Sequence, residues 1–187
     1  ASSGRRAVLK GGAAVSLAAL WPRLARAEDF PSRPVRLITA FPAGSGPDAA
    51  LRLVADGLSR LWKQQVMVEN KPGGAGFIAI DAFRSAAPDG HTMVQLDSNH
   101  LTTHPHVYRK LPYDPQRDLE PVRGVMRNYF FIAVSTQSPY QTLEDLVAAA
   151  RKAPGRMNYG SWFMGSPGHL GGLLLQSQRD IEMTHVP

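Results

Sequence analysis

Apolar residues in the first half of the chain alternate between short continuous runs and helical spacing. Residues 35–40 form a nearly continuous apolar run, which predicts a buried strand. Residues 48–62 carry apolar side chains three or four positions apart, which predicts an amphipathic helix. A β-branched run at 65–69, a second helical stretch at 77–86 and a third strand at 92–96 repeat the order. This alternation is typical of a parallel α/β sheet.

A long stretch without helical periodicity follows the third strand. We expect residues 97–106 to form a loop, and residues 107–121, rich in Pro and Asp, to be irregular. Residues 122–134 are predicted to be extended, because their second half, Tyr129-Phe-Phe-Ile-Ala-Val134, is strongly β-forming. A strand of this length could cross between two lobes, so we expect a first lobe over residues 28–126 and the start of a second over residues 127–187.

The last third of the chain returns to the strand and helix pattern. Residues 142–152 predict an amphipathic helix, with Thr142 as its cap and Asp145 three residues on. Residues 157–159 lead into a loop at 160–168, before a helix predicted over residues 169–179. An incoming strand ends the chain, which begins without Met; we therefore expect a partial chain.

Residues 1–27 are typical of an export leader rather than of a folded domain. A paired arginine, Arg5 and Arg6, precedes a weakly apolar run, and Leu24-Ala-Arg-Ala27 offers a small-x-small cleavage site. The apolar run is too short to span a bilayer, which takes about 20 residues. We expect export to a bacterial periplasm by the twin-arginine route, although an amphipathic surface helix is an alternative interpretation.

The positive charge of the chain is concentrated in this leader. The whole chain has 21 Lys and Arg, 15 Asp and Glu, and a net charge of +6. Five of the basic residues and none of the acidic ones precede residue 28, so 16 basic and 15 acidic residues remain. A nucleic-acid partner, which requires a concentrated basic face, is therefore not expected. The absence of cysteine excludes disulfides and thiolate metal sites.

The junction from residue 35 to residue 55 carries the strongest signal for chemistry. A predicted strand runs through a Pro/Gly loop into a helix, which places backbone N–H groups at the positive end of a helix dipole, where an anion can bind. Gly44-Ser-Gly-Pro-Asp-Ala49 also fits the dinucleotide pattern G-x-G-x-x-A, with Glu69 at the ribose-binding distance. Pro42 and Pro47 argue against close wrapping of a pyrophosphate. We expect Asp48 to cap the helix.

Other chemistry is poorly supported by the sequence. His100, His104 and His106 are spaced for a metal, but Pro105 should break a helix that would align them, and no acidic residue lies among them. No metal site is therefore predicted. Neither a G-x-S-x-G nucleophile motif nor a G-x4-G-K-[ST] phosphate loop occurs. The remaining signal is a set of three small, polar or Gly-bearing loops at strand ends, which predicts a pocket for a small polar anion and no catalysis.

Eight motifs in order resemble the periplasmic substrate-binding proteins of tripartite tricarboxylate transporters, the Bug family. They span residues 30–187 and include Phe41-Pro-Ala-Gly-Ser-Gly-Pro-Asp48, Val68-Glu-Asn-Lys-Pro-Gly-Gly-Ala-Gly76, Leu111-Pro-Tyr-Asp-Pro115 and Gly165-Ser-Pro-Gly-His-Leu170. The resemblance implies an α/β fold of the periplasmic-binding-protein type II plan, a two-lobed flytrap, here incomplete at its C-terminus. It implies a monomer without cofactor that hands a small carboxylate ligand to membrane permease subunits.

The resemblance also implies which residues line the cleft through main-chain amides, hydroxyls and ordered water. These predicted ligand-binding residues are Pro42, Ala43, Gly44 and Ser45 in the first loop, Ser98, Asn99 and His100 in the second, and Ser161, Gly165, Ser166 and His169 in the third. Bulky residues at 162–164 and Phe77 depart from the family pattern and suggest a more apolar or aromatic ligand. The alternative function is an exported NAD(P)-dependent oxidoreductase that uses Gly44-Ser45-Gly46 as a dinucleotide loop.

Overall fold

A computed structural model describes residues 29–187 of the protein. The chain divides into two units, Ala1–Ser32 and Arg33–Pro187. Residues 29–32 of the first unit contain no helix or strand, and the predicted leader lies outside the described residues. All the elements below belong to the second unit. None of the helices in residues 29–187 is both long and apolar enough to cross a bilayer.

Three parallel strands form the first sheet, with the most apolar strand in the middle. β1 (Val35–Thr39) pairs with β2 (Val66–Asn70) on one side and with β3 (Thr92–Gln95) on the other. A central strand of a parallel sheet is covered on both faces, so β1 can be apolar at nearly every position. The predicted parallel α/β sheet is confirmed, with strand boundaries shifted by one residue or less.

Two helices cover opposite faces of this sheet. On one face lies α1 (Gly46–Trp62), in a buried cluster made of Val35, Leu37, Leu51 and Ala55. On the other lies α2 (Phe77–Arg84), whose buried Ile80 belongs to a second cluster. Met93 of β3 contacts the first cluster and its neighbour Val94 the second, because successive side chains of a strand point to opposite faces.

The chain after β3 is helical where a loop was predicted. It forms two short helices, α3 (Asn99–Thr102) and α4 (His104–Val107). The prediction was wrong because it treated Pro105 as a breaker. Pro105 lies in the first turn of α4, where its missing N–H would have no intrahelical partner. The rings of His100 and His104 consequently stay close, with centroids 4.5 Å apart.

A second, two-stranded parallel sheet forms after the irregular stretch. Its strands β4 (Met157–Gly160) and β5 (Met183–Val186) are accompanied by the helices α5 (Leu143–Lys152) and α6 (Pro167–Arg179). The core of this part is the buried cluster of Val147, Ala150 and Ile181. The elements predicted for this region are therefore confirmed.

The starts of these two helices follow from their capping residues. Thr142 Oγ1 accepts from Asp145 N at 3.2 Å, and Asp145 Oδ2 accepts from Thr142 N at 2.9 Å, which completes the predicted capping box. Helix α6 begins two residues before the predicted start. Ser166 is its N-cap and accepts from His169 N at 3.2 Å, which allows Pro167 to occupy the first turn.

Residues 122–134 do not form the predicted strand. The described residues contain no strand between β3 and β4, and the side chains of Tyr129 and Phe131 are 76% and 87% exposed. A strand requires a hydrogen-bonded neighbour, and β-forming composition alone does not supply one. The lobe boundary placed between residues 126 and 127 stays a prediction.

This contrast in burial predicts a contrast in stability. Ile80→Ala removes a side chain that is 1% exposed and should lower the free energy of unfolding by about 2–5 kcal/mol. Phe131→Ala, at an exposed position, should change it by no more than about 0.5 kcal/mol. Urea denaturation of the two variants measures both values. Equal losses would mean that Phe131 is buried in solution.

Candidate functional site

The first candidate loop, residues 41–46, leads from β1 to α1 and is closed by its own hydrogen bonds. Ser45 is the N-cap of α1, since its Oγ accepts from Asp48 N at 3.4 Å and donates to Pro42 O at 2.7 Å. Gly44 N donates to Asp48 Oδ2 at 2.8 Å, and Ser45 N to Pro42 O at 3.2 Å. The prediction that Asp48 caps the helix is wrong, because Ser45 holds that position.

Two amides of the first loop remain for a ligand. Within residues 29–187, the N–H groups of Ala43 and Gly46 make no hydrogen bond. Ala43 lies before α1 and Gly46 is its first residue, at the end where the helix dipole favours negative charge. The anion site predicted from this junction therefore retains two free amides.

Asp48 ties the first loop to its surroundings. Its carboxylate, 1% exposed, accepts from Gly44 N at 2.8 Å, Arg52 Nε at 3.0 Å and Asn70 Nδ2 at 2.7 Å. The bond from Arg52, then those from Asn70 and Gly44, lower the pKa of Asp48 to about 2. Asp48 is consequently an anion with its acceptors in use, and it joins the loop, α1 and the end of β2.

Gln95 supports the same loop from the other neighbouring strand. Its Oε1 accepts from Thr39 Oγ1 at 2.7 Å, and its Nε2 donates to Pro47 O at 3.1 Å. The ends of β1 and β3 are thus joined to the start of α1.

The second candidate loop, residues 97–100, runs from β3 into α3 and has one predicted residue exposed and two buried. Ser98 is exposed, whereas Asn99 and His100 are 4% and 2% exposed. Asn99 Nδ2 lies 3.1 Å from His104 Nε2, and both ring nitrogens of His100 contact main-chain carbonyl groups. The side chains of Asn99 and His100 therefore hold the protein together at this position.

The third candidate loop, residues 161–166, brings its predicted residues into one hydrogen-bonded group. Ser161 Oγ lies 3.0 Å from Ser166 Oγ and 2.7 Å from Nε2 of His185, on β5. Gly165 N donates to His169 Nδ1 at 3.0 Å. Burial, and then the neighbouring His185, lower the pKa of His169, so its ring is a neutral acceptor at pH 7.

Tyr108 connects the third loop to the segment after α4. Its hydroxyl donates to Met164 O at 3.0 Å, and the ring of Phe163 lies 6.3 Å from that of His104. Trp162, 60% exposed, has its ring 5.8 Å from that of Phe130. In residues 29–187, no hydrogen bond joins the first loop to the second or the third.

None of the three loops contains a Lys, Arg or Glu, and the single Asp in them is Asp97, at the start of the second loop, whose pKa is raised by burial. In the described part of the chain, no group of three or more His, Asp or Glu could hold a metal ion. Amides and hydroxyls are thus the polar groups that these loops offer a ligand. Glu69 is engaged elsewhere: its carboxylate lies 2.9 Å from Lys71 Nζ and 3.4 Å from Arg36 Nη1, and the bond from Lys71 lowers its pKa.

Sequence reasoning missed four residues that hold these loops. Asn70 and Gln95 end β2 and β3, and a polar side chain at the last position of a parallel strand is a signal that could have identified them. Tyr108 and His185 gave no such signal, because their partners Met164 and Ser161 lie 56 and 24 residues away in the chain.

The described residues form two parallel α/β sheets with small polar loops at strand ends, and comparison with known proteins assigns this fold to a family. Residues 50–187 match the Tripartite tricarboxylate transporter family receptor, so the chain belongs to this family. It is 34% identical over 188 residues to the UPF0065 protein in the gbd 5'region of Cupriavidus necator, which covers 98% of this chain and 55% of that protein.

Solved structures give the same result. The structure "R. palustris Rpa4515 with adipate" matches with a TM-score of 0.73 and 32% identity, over 85% of this chain and 53% of the other. "MatC (Rpa3494) from Rhodopseudomonas palustris with bound malate" matches with a TM-score of 0.70 and 25% identity, over 84% and 54%. The chain thus spans about half the length of these relatives.

The bonds to Asp48 predict how acid affects stability. Its folded pKa of about 2 lies below the value of about 3.9 for an unfolded aspartate, so its contribution is complete above pH 4 and is lost as the pH falls through 2. Asp48→Asn should therefore lower stability at pH 7 and flatten the loss of stability between pH 4 and pH 2. Thermal unfolding across this range measures both effects.

Asp56→Asn, on the exposed face of the same helix, is the matched control and should leave the pH profile unchanged. If the profiles of Asp48→Asn and the unmodified chain ran parallel between pH 4 and pH 2, the hydrogen bonds to Asp48 would not form in solution.

Proposed function

We propose that this chain is part of a periplasmic solute-binding protein that captures a small carboxylate between two lobes. The ligand is held by backbone amides, hydroxyl groups and ordered water, and is delivered to a membrane transporter of the tripartite tricarboxylate type. The protein acts as a monomer, without cofactor and without catalysis. Residues 28–126 supply the first lobe and residues 127–187 begin the second.

The observation that carries this proposal is the polarity of the three loops at the strand ends. They offer amide and hydroxyl donors and contain Asp97 as their single acidic residue and no Lys, Arg or Glu, which suits a small anion bound through hydrogen bonds. Two relatives have carboxylates bound in their structures, adipate in one and malate in the other. A dicarboxylate of four to six carbons is therefore the ligand class that we test first.

The direct contacts are assigned to the loop groups that the protein leaves available. These are the amides of Ala43 and Gly46 and the exposed Ser98. Ser161 is assigned as a contact that would exchange a bond to Ser166 or His185 for one to the ligand, whereas the fully buried Ser166 supports the third loop. Pro42, Gly44 and Ser45 shape the first loop, while Gly165 and His169 shape the third. Residues 1–27 act as the twin-arginine leader that brings the protein to the periplasm.

The first test measures thermal stability of the full-length protein with candidate ligands. Adipate or malate at 100 times its dissociation constant should raise the free energy of unfolding by about 2.7 kcal/mol, because it binds only the folded state. NAD and NADP should have no effect. Stabilisation by a dinucleotide, with no response to any mono- or dicarboxylate, would favour the oxidoreductase and overturn the proposal.

The second test removes hydroxyl donors from two different loops. Ser98→Ala and Ser161→Ala should each weaken carboxylate binding by about 3- to 10-fold, the effect of one hydrogen bond worth about 0.5–1.5 kcal/mol. Isothermal titration calorimetry gives the dissociation constants. Ser177→Ala is the control: this exposed serine lies 11 residues beyond the N-cap of α6, about 16 Å along the helix, and should leave the affinity unchanged.

A further inference from the structure

His100 makes two hydrogen bonds that a neutral imidazole cannot make together. Its ring is buried, Nδ1 lies 3.0 Å from Asp97 O, and Nε2 lies 3.0 Å from Ala75 O. Both partners are main-chain carbonyl oxygens, which only accept. Neutral imidazole carries one N–H and one acceptor nitrogen, whereas imidazolium carries two N–H groups. Both contacts are satisfied only when the ring is doubly protonated.

These two bonds join loops that follow different strands. Ala75 lies in the loop after β2, and Asp97 in the loop after β3; both strands flank β1 without pairing with each other. Ala75 has a φ of +52° and is followed by Gly76 at +87°, so this backbone is in the left-handed region. A Cβ at Gly76 would collide with His100 Nε2, so the ring fits directly against a glycine. His100 therefore fixes a strained turn.

The groups around His100 are compatible with one positive charge. The half-buried Asp97 is its nearest acidic group, and burial raises the pKa of that carboxyl while His100 acts in the opposite direction. On α4, the neighbouring His104 is fully buried, and burial together with the charge of His100 lowers its pKa to about 4. His104 thus stays neutral beside a charged His100.

A network of hydrogen bonds fixes the neutral form and the tautomer of His104. Asn99 Nδ2 donates to His104 Nε2 at 3.1 Å, which leaves the proton of His104 on Nδ1, 3.4 Å from the hydroxyl of Tyr113. That hydroxyl donates to His100 O at 2.6 Å, and burial raises the pKa of Tyr113 to about 12, so it remains a donor. The ring of Tyr108 packs edge to face with that of His104, with centroids 5.0 Å apart.

We propose that His100 is a positioning residue of the ligand site, an imidazolium that clamps the loop at residues 73–76 to the loop at residues 97–100. The clamp holds Ser98 in place, and its positive charge offsets the carboxyl of Asp97 in a loop that has no Lys or Arg of its own. In this way a site built from amides and hydroxyls favours a carboxylate. The effect on the ligand rests on the function proposed above, while the clamp itself does not.

The protonation of the ring can be observed without any ligand. Long-range ¹H–¹⁵N spectra of the full-length protein at pH 7.5 should show an imidazolium that is absent from His100→Gln, although a free histidine is mostly neutral at this pH. His104 should give the signals of a neutral ring protonated on Nδ1. A neutral His100 in the unmodified protein would overturn the proposal even if His100→Gln failed to fold.

The consequence for binding is tested with adipate and malate as probes. Glutamine keeps one donor but carries no charge. His100→Gln should therefore weaken binding of whichever of the two dicarboxylates the unmodified protein binds, by at least 10-fold at pH 7.5. His106→Gln, an exposed histidine of α4, is the matched control and should bind normally.

The outcomes separate the two proposals. An imidazolium with no response to either dicarboxylate would support the clamp and count against the ligand class. Unchanged affinity of His100→Gln for the dicarboxylate that the unmodified protein binds would overturn the positioning role.

Discussion

The carboxylate of Asp48 is the interaction on which the first half of the structure depends. It accepts one hydrogen bond from the loop after β1, one from α1 and one from the end of β2. An isolated buried carboxylate would be unfavourable, and these three donors make the anion stable at its position. With Gln95 joining β3 to the start of α1, the first loop is held from both neighbouring strands. The amides that remain for a ligand are therefore fixed before it arrives, which lowers the entropic cost of binding.

In the other two loops, histidines hold the backbone through hydrogen bonds. Whether each ring nitrogen donates or accepts depends on the protonation state of the ring. His169 accepts from a loop amide, and His104 accepts from Asn99. Burial keeps both neutral, since it disfavours the charged form. The polar side chains predicted as a ligand surface thus include several whose bonding capacity is used within the protein. Their contribution to a site is to fix the backbone and hydroxyls beside them.

The sequence predicted most of the fold because the signals involved are local. β1 is apolar at nearly every position, α1 and α5 have clear helical periodicity, and Thr142 with Asp145 forms a capping box. Predictions failed where a residue type has two roles. Pro105 was interpreted as a helix breaker but lies in a first turn, and Asp48 was interpreted as a cap but is a buried acceptor.

The prediction of the site was limited by hydrogen-bond partners that lie far apart in the sequence. The three loops were correctly placed at strand ends, because that position follows from the order of elements. Which of their side chains are free could not be predicted, since it depends on pairings such as His100 with Ala75 and Tyr108 with Met164, separated by 25 and 56 residues. Strand formation at residues 122–134 likewise depends on a neighbour that local composition cannot specify.

The exposed segment at residues 122–134 has a consequence for aggregation of the chain. Tyr129-Phe-Phe-Ile-Ala-Val134 is six residues long, β-forming, uncharged and free of Pro and Gly, the composition that favours self-association into intermolecular sheets. Arg123 and Arg127 precede it and act as charged gatekeepers on one side only. Within the described residues, this segment is therefore a place where self-association can begin while the chain folds.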